Sequence, residues 1–351
     1  MALAATPVDF GGGDEVRFER DGVAGVITLT RPKALNALTQ RMVKAMSEAL
    51  EEWQGDKAVE LVIVKGEGRA FSAGGDLMAV YNGKANPSAD FFADEYRLNL
   101  QIERFPKPYV SLIDGIVMGG GVGISFHGSH RVLTENALFA MPEVGIGFFP
   151  DVGGSHLLPD LADNFGMYLA LTGARIKWGD ALWSGLATHP AKADSLGALY
   201  EMLARNGDVE ATLRNFFTMP KRETDQAVWK KIDGWFGEGS LEGIVAALEA
   251  DKGDETAAGI LKTIGGKSPT SLKVTFREIT EGQTKSMADC MRMEFRILNR
   301  MLAGNDFYEG IRCAIIDKGA TPQWNPAEIA AVSASDVDAY FSPLPGGDLA
   351  L

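Results

Sequence analysis

The sequence predicts an α/β fold, and two observations carry that prediction. In the first 190 residues, short runs rich in β-branched residues alternate with segments whose apolar residues recur at helical spacing. From residue 191 onward the chain turns acidic, rich in Ala, Leu and Glu, and mostly helical in its periodicity. We therefore expect a core of strands and helices over residues 1–190, with a helical region over residues 191–351 packing on it.

The individual elements follow from local composition. A strand is predicted over Val23–Thr30, which is rich in β-branched residues and is followed by the breaker Arg31-Pro32. A helix is predicted over Leu38–Trp53, where apolar residues share one face. The next strand, Leu61–Val64, is closed by a glycine turn. Three further short apolar runs predict strands: Tyr109–Ile113, Arg131–Thr134 and Leu138–Met141.

Composition and charge exclude several classes of protein. The 351 residues carry a formal net charge of -13, which argues against a nucleic-acid partner because neutralising phosphates needs a basic face. An anionic ligand held by local cations or backbone N–H groups remains compatible with this charge. No apolar run approaches the ~20 residues of a membrane span, and Met1–Phe10 lacks the pattern of a secretory signal. We expect a cytoplasmic protein with no membrane partner.

The residues that commonly bind metals or form disulfides are few and scattered. Cys290 and Cys313 fit neither a disulfide framework nor a metal-binding cluster, so we expect two reduced thiols. No serine lies in a Gly-x-Ser-x-Gly elbow. The histidines show no metal-ligand spacing, and we expect structural roles for all four: His127, His130, His156 and His189. The sequence therefore predicts no metal and no separate cofactor.

Two glycine-rich segments follow predicted strands. They are Phe71–Asp76, which contains Ala73, Gly74 and Gly75, and Met118–Gly123. Small residues let the backbone approach a ligand closely, and glycines that open a helix leave N–H groups for a negative oxygen. Each segment taken singly is equally consistent with a tight turn. Neither is a nucleotide-binding fingerprint, because Phe126 replaces the third glycine and no Gly-Lys-Ser/Thr follows.

Two carboxylates, Glu143 and Asp151, lie eight residues apart in a segment otherwise made of apolar residues, Gly and Pro. Loss of hydration in such surroundings raises the proton affinity of a carboxylate, which suits acid–base chemistry. A structural interpretation is also open, in which one carboxylate pairs with an arginine and Asp151 is the N-cap of a following helix.

A helix is predicted from Phe91 to Phe105, with Ser88 as its N-cap. Its apolar residues follow helical spacing, and Glu95 lies on the same stripe. Periodicity alone places this carboxylate at the rim of the stripe, the common position for a charged residue.

Together, these segments resemble the crotonase (enoyl-CoA hydratase/isomerase) superfamily. Four motifs occur in that family's order and spacing: Arg31–Leu38, Phe71–Asp76, Gly119–Gly121, and Met141-Pro142-Glu143 followed by Pro150 and Gly153-Gly154. The resemblance implies a spiral of ββα turns, an acyl-CoA thioester as substrate, and an oxyanion hole made by the N–H groups of Gly75 and Gly120. Relatives are commonly trimers or pairs of trimers, but the divergent C-terminal half of the hydrolase branch leaves the assembly open, with a homo-oligomer as one possibility.

Differences from the hydratases of that family narrow the reaction that we expect. Hydratases carry a second glutamate where this chain has Gly123, and usually a small residue where it has Asp151. This combination is similar to the 3-hydroxyisobutyryl-CoA hydrolase branch. Further segments that fit the branch are Phe91–Tyr96, Phe149–Gly154, Ser268–Lys273 and Asp306–Gly310. The resemblance thus implies hydrolysis of a 3-hydroxyacyl-CoA, with 3-hydroxyisobutyryl-CoA from valine breakdown as the expected substrate and 3-hydroxypropionyl-CoA left open.

The same resemblance implies roles for particular residues. Glu143 is the nucleophile or the general base. Asp151 is also catalytic: it hydrogen-bonds the substrate hydroxyl and helps to position or protonate the reacting groups, while Glu95 contacts the same hydroxyl end of the pocket. The remaining substrate-binding candidates are Ala73, Gly74 and Asp76, with Lys33 and Lys318 for the coenzyme phosphates. Most surface lysines are merely solvated, so the two lysines have a plain alternative. An enoyl-CoA hydratase/isomerase and a non-catalytic acyl-CoA-binding protein are the competing functions.

Overall fold

The computed structural model describes residues 5–351. Residues 1–4, part of the Met1–Phe10 segment in which we predicted no secretory signal, lie outside the described residues. Among the described residues, no helix is both long and apolar enough to cross a membrane.

The β-strands are short, as the sequence predicts, and several match the predicted runs to within one or two residues. In chain order they are β1 (Thr6–Val8), β2 (Val16–Asp21), β3 (Ala24–Leu29), β4 (Leu61–Gly66), β5 (Ala70–Ser72), β6 (Tyr109–Ile113), β7 (Ile116–Met118), β8 (His130–Leu133), β9 (Leu138–Ala140) and β10 (His189–Pro190).

Helices dominate after residue 140, which confirms the predicted helical C-terminal region. In chain order they are α1 (Gln40–Gly55), α2 (Leu77–Asn82), α3 (Asp90–Glu103), α4 (Gly120–Phe126), α5 (Gly154–Leu157), α6 (Phe165–Thr172), α7 (Trp178–Trp183), α8 (Leu196–Asn206), α9 (Val209–Phe216), α10 (Gln226–Phe236), α11 (Leu241–Ala250), α12 (Glu255–Gly265), α13 (Pro269–Gly282), α14 (Met287–Leu302), α15 (Asp306–Ile311) and α16 (Ala334–Phe341).

The chain forms two compact units, each assembled from separate segments. The first comprises the residues up to Gly75, Asp94–Phe139 and Ile176–Glu223. The second comprises Asp76–Ala93, Ala140–Arg175 and Thr224–Leu351. Each unit therefore takes residues from both sides of position 190.

The first unit contains a seven-stranded sheet of order β1-β2-β3-β4-β6-β8-β10. The pairs β1–β2 and β2–β3 are antiparallel, and the remaining pairs are parallel. Strands β3 and β6 are buried along their whole length, as parallel strands covered on both faces usually are. Buried residues of α8 and α9, including Leu199, Leu203 and Leu213, pack against the strand residues Val26, Ile63 and Val110 in one apolar cluster.

A second, three-stranded sheet has the order β5-β7-β9. Each of β4, β6 and β8 contributes to the large sheet and is followed within a few residues by a strand of the small one. This repeated pairing is the spiral of ββα turns that the resemblance implied.

The second unit is largely helical. The rings of Phe165 on α6 and Trp229 on α10 stack with their centroids 4.0 Å apart. Helix α13 packs on α5 and α6, and Gly282 near its end lies directly against the carbonyl group of Ser155. This close approach brings α13 to the segment that carries Asp151.

Candidate active site

The two glycine-rich segments lie next to each other in the first unit. Strands β5 and β7 pair in parallel, so the segments that follow their carboxyl ends leave the small sheet at the same edge. Gly74 has φ +104°, and a Cβ atom there would lie 3.3 Å from the Met118 carbonyl oxygen and 3.4 Å from the Gly120 nitrogen. Glycine is needed at position 74 both for this conformation and for the close approach.

Backbone hydrogen bonds hold the first glycine segment from its other side. Leu38 N–H donates to the Gly74 carbonyl at 2.8 Å, and Ala73 N–H donates to the Leu35 carbonyl at 2.9 Å. These bonds give the Arg31–Leu38 motif a physical role, because it fixes the backbone around Gly75.

The amides of Gly75 and Gly120 remain available as donors. Gly120 is the first residue of α4, where an N–H group has no acceptor within its own helix. Among residues 5–351, neither amide donates a hydrogen bond to another backbone group. The arrangement provides two amides on adjacent segments that are suited to stabilising a negative oxygen.

Glu95 is buried, with 2% of its surface exposed, so the rim position predicted from periodicity is wrong. Its carboxyl group lies directly against Gly120, where a Cβ atom would collide with it. Helical spacing shows only that position 95 faces the protein. The neighbour it meets there is a glycine backbone, which leaves room for a carboxyl group.

Ser88 is the residue predicted to cap this helix. Its Oγ atom accepts a hydrogen bond from the N–H of Asp90, the first residue of α3.

In the second unit, Glu143 and Asp151 are both buried, with 6% and 5% of their surfaces exposed. Glu143 begins a short 3-10 turn, and Phe148, just beyond that turn, stacks on Phe307 with ring centroids 4.3 Å apart. Gly147 has φ +67° and lies against the backbone of Asp306. Aromatic packing and this backbone contact therefore shield the segment from water.

The ionisation of Glu143 is strongly perturbed. Burial raises the pKa of this carboxyl well above its ordinary value, and the nearby charge of Asp151 raises it further. Its Oε2 atom accepts no hydrogen bond from any residue in the described part of the chain. A carboxylate with little hydration and a free oxygen is suited to nucleophilic or general-base chemistry.

Asp151 does not cap the following helix, contrary to the structural interpretation. The N-cap of α5 is Gly153, and the Asp151 backbone carbonyl, rather than its side chain, accepts from Gly154 N–H at 2.8 Å.

Sequence reasoning missed two buried acids, Glu278 on α13 and Glu294 on α14, both with no exposed surface. Burial raises the pKa of Glu278 well above its ordinary value, and the charges of Glu294, Asp151 and Glu143 add to the effect. Each acid lies at helical spacing from buried neighbours, so the pattern that identified Glu95 could have found them.

The other predicted residues occupy ordinary positions. Asp76 caps α2 by accepting from Ala79 N–H, Ala73 is half-buried, and Lys33 and Lys318 are exposed. Both cysteines are free and buried. His130 contacts Glu210 at 3.1 Å. In the described part of the chain, no group of three or more His, Cys, Asp or Glu side chains is arranged to hold a metal ion.

Comparisons with known proteins show which chains are similar to this one. The family model described as enoyl-CoA hydratase/isomerase matches residues 24–341. The chain is 44% identical over 349 residues to the mitochondrial 3-hydroxyisobutyryl-CoA hydrolase of Rattus norvegicus, covering 95% of this chain and 90% of the relative. It is 45% identical over 353 residues to the protein of the same name from Danio rerio, covering 97% and 92%.

Among solved structures, the chain is similar to a carnitinyl-CoA dehydratase from Mycobacterium thermoresistibile. The TM-score is 0.91 at 38% sequence identity, covering 95% of this chain and 98% of the other. The fold described above is therefore shared with a protein that carries a different functional name.

Proposed function

The chain belongs to the enoyl-CoA hydratase/isomerase family, and from that premise we propose that it hydrolyses 3-hydroxyisobutyryl-CoA to 3-hydroxyisobutyrate and coenzyme A. The observation that carries the proposal is the buried pair Glu143 and Asp151 in a chain whose position 123 is glycine. Relatives named as hydrolases of this thioester match almost the whole chain, which supports the assignment.

The amides of Gly75 and Gly120 stabilise the negative charge that develops on the thioester carbonyl oxygen. Removing one such donor typically costs about 3–4 kcal/mol of transition-state stabilisation. Main-chain donors suit this task because their positions are fixed before the substrate arrives.

Glu143 acts in its ionised form. As a nucleophile, its carboxylate attacks the thioester carbon, the C–S bond breaks, and the thiolate leaves and takes up a proton. Water then cleaves the resulting anhydride to regenerate Glu143 and release the acid. As a general base, Glu143 instead removes a proton from the attacking water. Trapping an acyl-enzyme with hydroxylamine during turnover distinguishes the two routes.

Asp151 and Glu95 bind the 3-hydroxyl group of the substrate. A site that hydrogen-bonds a hydroxyl rejects analogues without one, because its buried polar groups are then left unpaired. Ala73, Gly74 and Asp76 border the acyl-thioester, and Lys33 and Lys318 contact the phosphates of the coenzyme.

A substrate panel tests the assignment. Release of free thiol is measured with 3-hydroxyisobutyryl-CoA, 3-hydroxypropionyl-CoA and isobutyryl-CoA, while loss of enoyl absorbance is measured with an enoyl-CoA. We expect rapid thiol release from the hydroxylated thioesters alone. Efficient hydration of the enoyl-CoA would instead establish the hydratase, the candidate that the structural similarity to a dehydratase favours. Inactivity across the panel would favour a non-catalytic acyl-CoA-binding protein.

We propose a reducing compartment, which the two free cysteines support. The cytoplasm is the compartment expected from the sequence, and the relatives' names make mitochondria the alternative. Cell fractionation decides between them. The proposed homo-oligomer is tested by sedimentation of the purified chain.

A further inference from the structure

We propose that Glu294 is a positioning residue for the hydrolysis, which holds the Gly153–Ser155 segment and thereby fixes the carboxyl group of Asp151. The proposal rests on the proposed function, since it assigns Glu294 an effect on a reaction in which Asp151 takes part.

Glu294 makes three hydrogen bonds to the segment just after Asp151. Its Oε2 accepts from Gly153 N–H at 2.8 Å, and its Oε1 accepts from Ser155 N–H at 3.1 Å and from Ser155 Oγ at 2.5 Å. A single side chain on α14 therefore binds donors that are 141 and 139 residues away in sequence.

The backbone that Glu294 holds is strained. Val152 has φ +53° and Gly153 has φ +84°, both in the left-handed region. A β-branched residue such as valine rarely adopts this conformation, which persists only when surrounding contacts enforce it. Glu294 supplies such contacts immediately beyond Val152, so the direction of the chain at Asp151 depends on them.

Burial of an acid at this position is unfavourable apart from the hydrogen bonds that it accepts. Glu294 has no exposed surface, and burial raises its pKa to about 8 although the hydrogen bonds from Ser155 and Gly153 act in the opposite direction. An apolar residue would avoid the cost of burying an acid, but it would leave the N–H groups of Gly153 and Ser155 without this acceptor. The titratable groups that interact with it are Asp151, Glu278 on α13 and Cys290 on its own helix.

Comparison with Glu278 separates the effect of the hydrogen bonds of Glu294 from the effect of its burial and charge. It is equally buried and also acidic, yet neither of its carboxyl oxygens accepts a hydrogen bond from a residue in the described range. Glu278→Gln therefore removes a titratable group near Asp151 without releasing the Gly153–Ser155 segment, whereas Glu294→Gln places an NH2 group where one carboxylate oxygen accepted.

The first measurement is hydrogen exchange of the full-length protein. We expect the Gly153 and Ser155 amides to exchange at least tenfold faster in Glu294→Gln than in the wild type, and at the wild-type rate in Glu278→Gln. Ser268→Ala is the control for general loss of stability, because it removes two other buried hydrogen bonds, from Ser268 Oγ to Asp306 at 2.7 Å and from Ser271 N–H to Ser268 Oγ at 3.2 Å. Unchanged exchange in Glu294→Gln overturns the proposal whether or not the protein hydrolyses any thioester.

The second measurement is a double-mutant cycle on thiol release, using Glu294→Gln and Asp151→Asn. We expect Glu294→Gln to lower kcat about 10- to 100-fold with less than a threefold change in KM. In the Asp151→Asn background it should have almost no further effect, because the residue it positions is already removed. Additive losses would show that Glu294 acts independently of Asp151 and would overturn the proposal.

Failure of the proposed function and failure of the proposed role of Glu294 give different results. If the wild type does not release thiol from 3-hydroxyisobutyryl-CoA, the proposed substrate is wrong, and the cycle is run on whichever thioester of the panel is hydrolysed. If the wild type is active and the exchange and cycle results are negative, only the role of Glu294 is wrong.

Discussion

The main-chain donors of the first unit and the carboxyl groups of the second are built in different ways. Gly75 and Gly120 owe their positions to backbone geometry, namely two paired strands and hydrogen bonds to the nearby Leu35–Leu38 segment. Glu143 owes its raised pKa to burial and to the charge of Asp151, and the segment that follows Asp151 is bound by Glu294 on α14. The backbone donors thus depend on strand pairing and on a few main-chain hydrogen bonds between segments, whereas the acidity of a buried side chain depends on everything packed around it.

Among the carboxyl groups of the second unit, Glu143 should give the largest effect when it is substituted. We expect Glu143→Gln to lower kcat for thiol release by about 1,000-fold or more, because the amide can neither attack nor accept the proton of water. The far-UV circular dichroism spectrum should be unchanged. Turnover near the wild-type rate would remove Glu143 from the mechanism.

The role of the main-chain donors of the first unit is tested by substituting Gly120. A Cβ atom there would meet the Glu95 carboxyl group and lie 3.2 Å from Leu38 Cδ1, so in Gly120→Ala either these side chains or the amide must move. We expect kcat to fall about 100-fold, as for loss of one oxyanion donor.

Gly197→Ala in α8 is the matched control for Gly120→Ala, since an added Cβ there meets nothing within 4 Å. It should leave kcat unchanged. Equal effects of the two substitutions would show that the close approach at Gly120 is unimportant.

Glu95 lies in the first unit, like the main-chain donors, but it is a buried carboxyl group, like Glu143 and Asp151 of the second. Substituting it therefore tests whether the effect of a substitution depends on the unit or on the chemical group. We expect Glu95→Gln to lower kcat/KM for 3-hydroxyisobutyryl-CoA about tenfold, with little change for isobutyryl-CoA, because only the former offers a hydroxyl. An equal loss for both thioesters would contradict a contact with the hydroxyl.

The last prediction concerns a different property, the pH dependence of stability. Burial raises the pKa of Glu294 from 4.5 to about 8, so the folded state binds a proton that the unfolded state loses at lower pH. Its contribution is fully present below pH 4.5 and declines as the pH rises through about 8.

Denaturant unfolding of the wild type and of Glu294→Gln between pH 5 and pH 9 should show this dependence. We expect the free energy of unfolding of the wild type to fall with rising pH relative to that of the variant. A constant difference between the two proteins across this range would show that Glu294 binds protons equally in the folded and unfolded states.

Much of the fold could be predicted from local patterns. Tyr109–Ile113 is a strand with the predicted ends, and the predicted Leu38–Trp53 helix is observed as α1, Gln40–Gly55. Such patterns suffice because backbone conformation depends mainly on neighbouring residues and on which face is apolar. The glycine segments were identifiable for the same reason.

The carboxyl groups were harder to interpret. Periodicity placed Glu95 at a rim, yet it is buried against Gly120, and Glu294 was not recognised at all. Both errors have one cause, since the environment of a buried side chain is supplied by residues that are remote in sequence.

The order of strands and helices, the glycine segments and the presence of Glu143 and Asp151 are properties of short stretches of chain, and they can be read without coordinates. Packing of the folded chain sets which acids lose water, which oxygens accept hydrogen bonds and how tightly Asp151 is held. The bond from Gly153 to Glu294 spans 141 residues. A contact over that distance forms only when the chain has folded, because no local preference of either segment brings the two together.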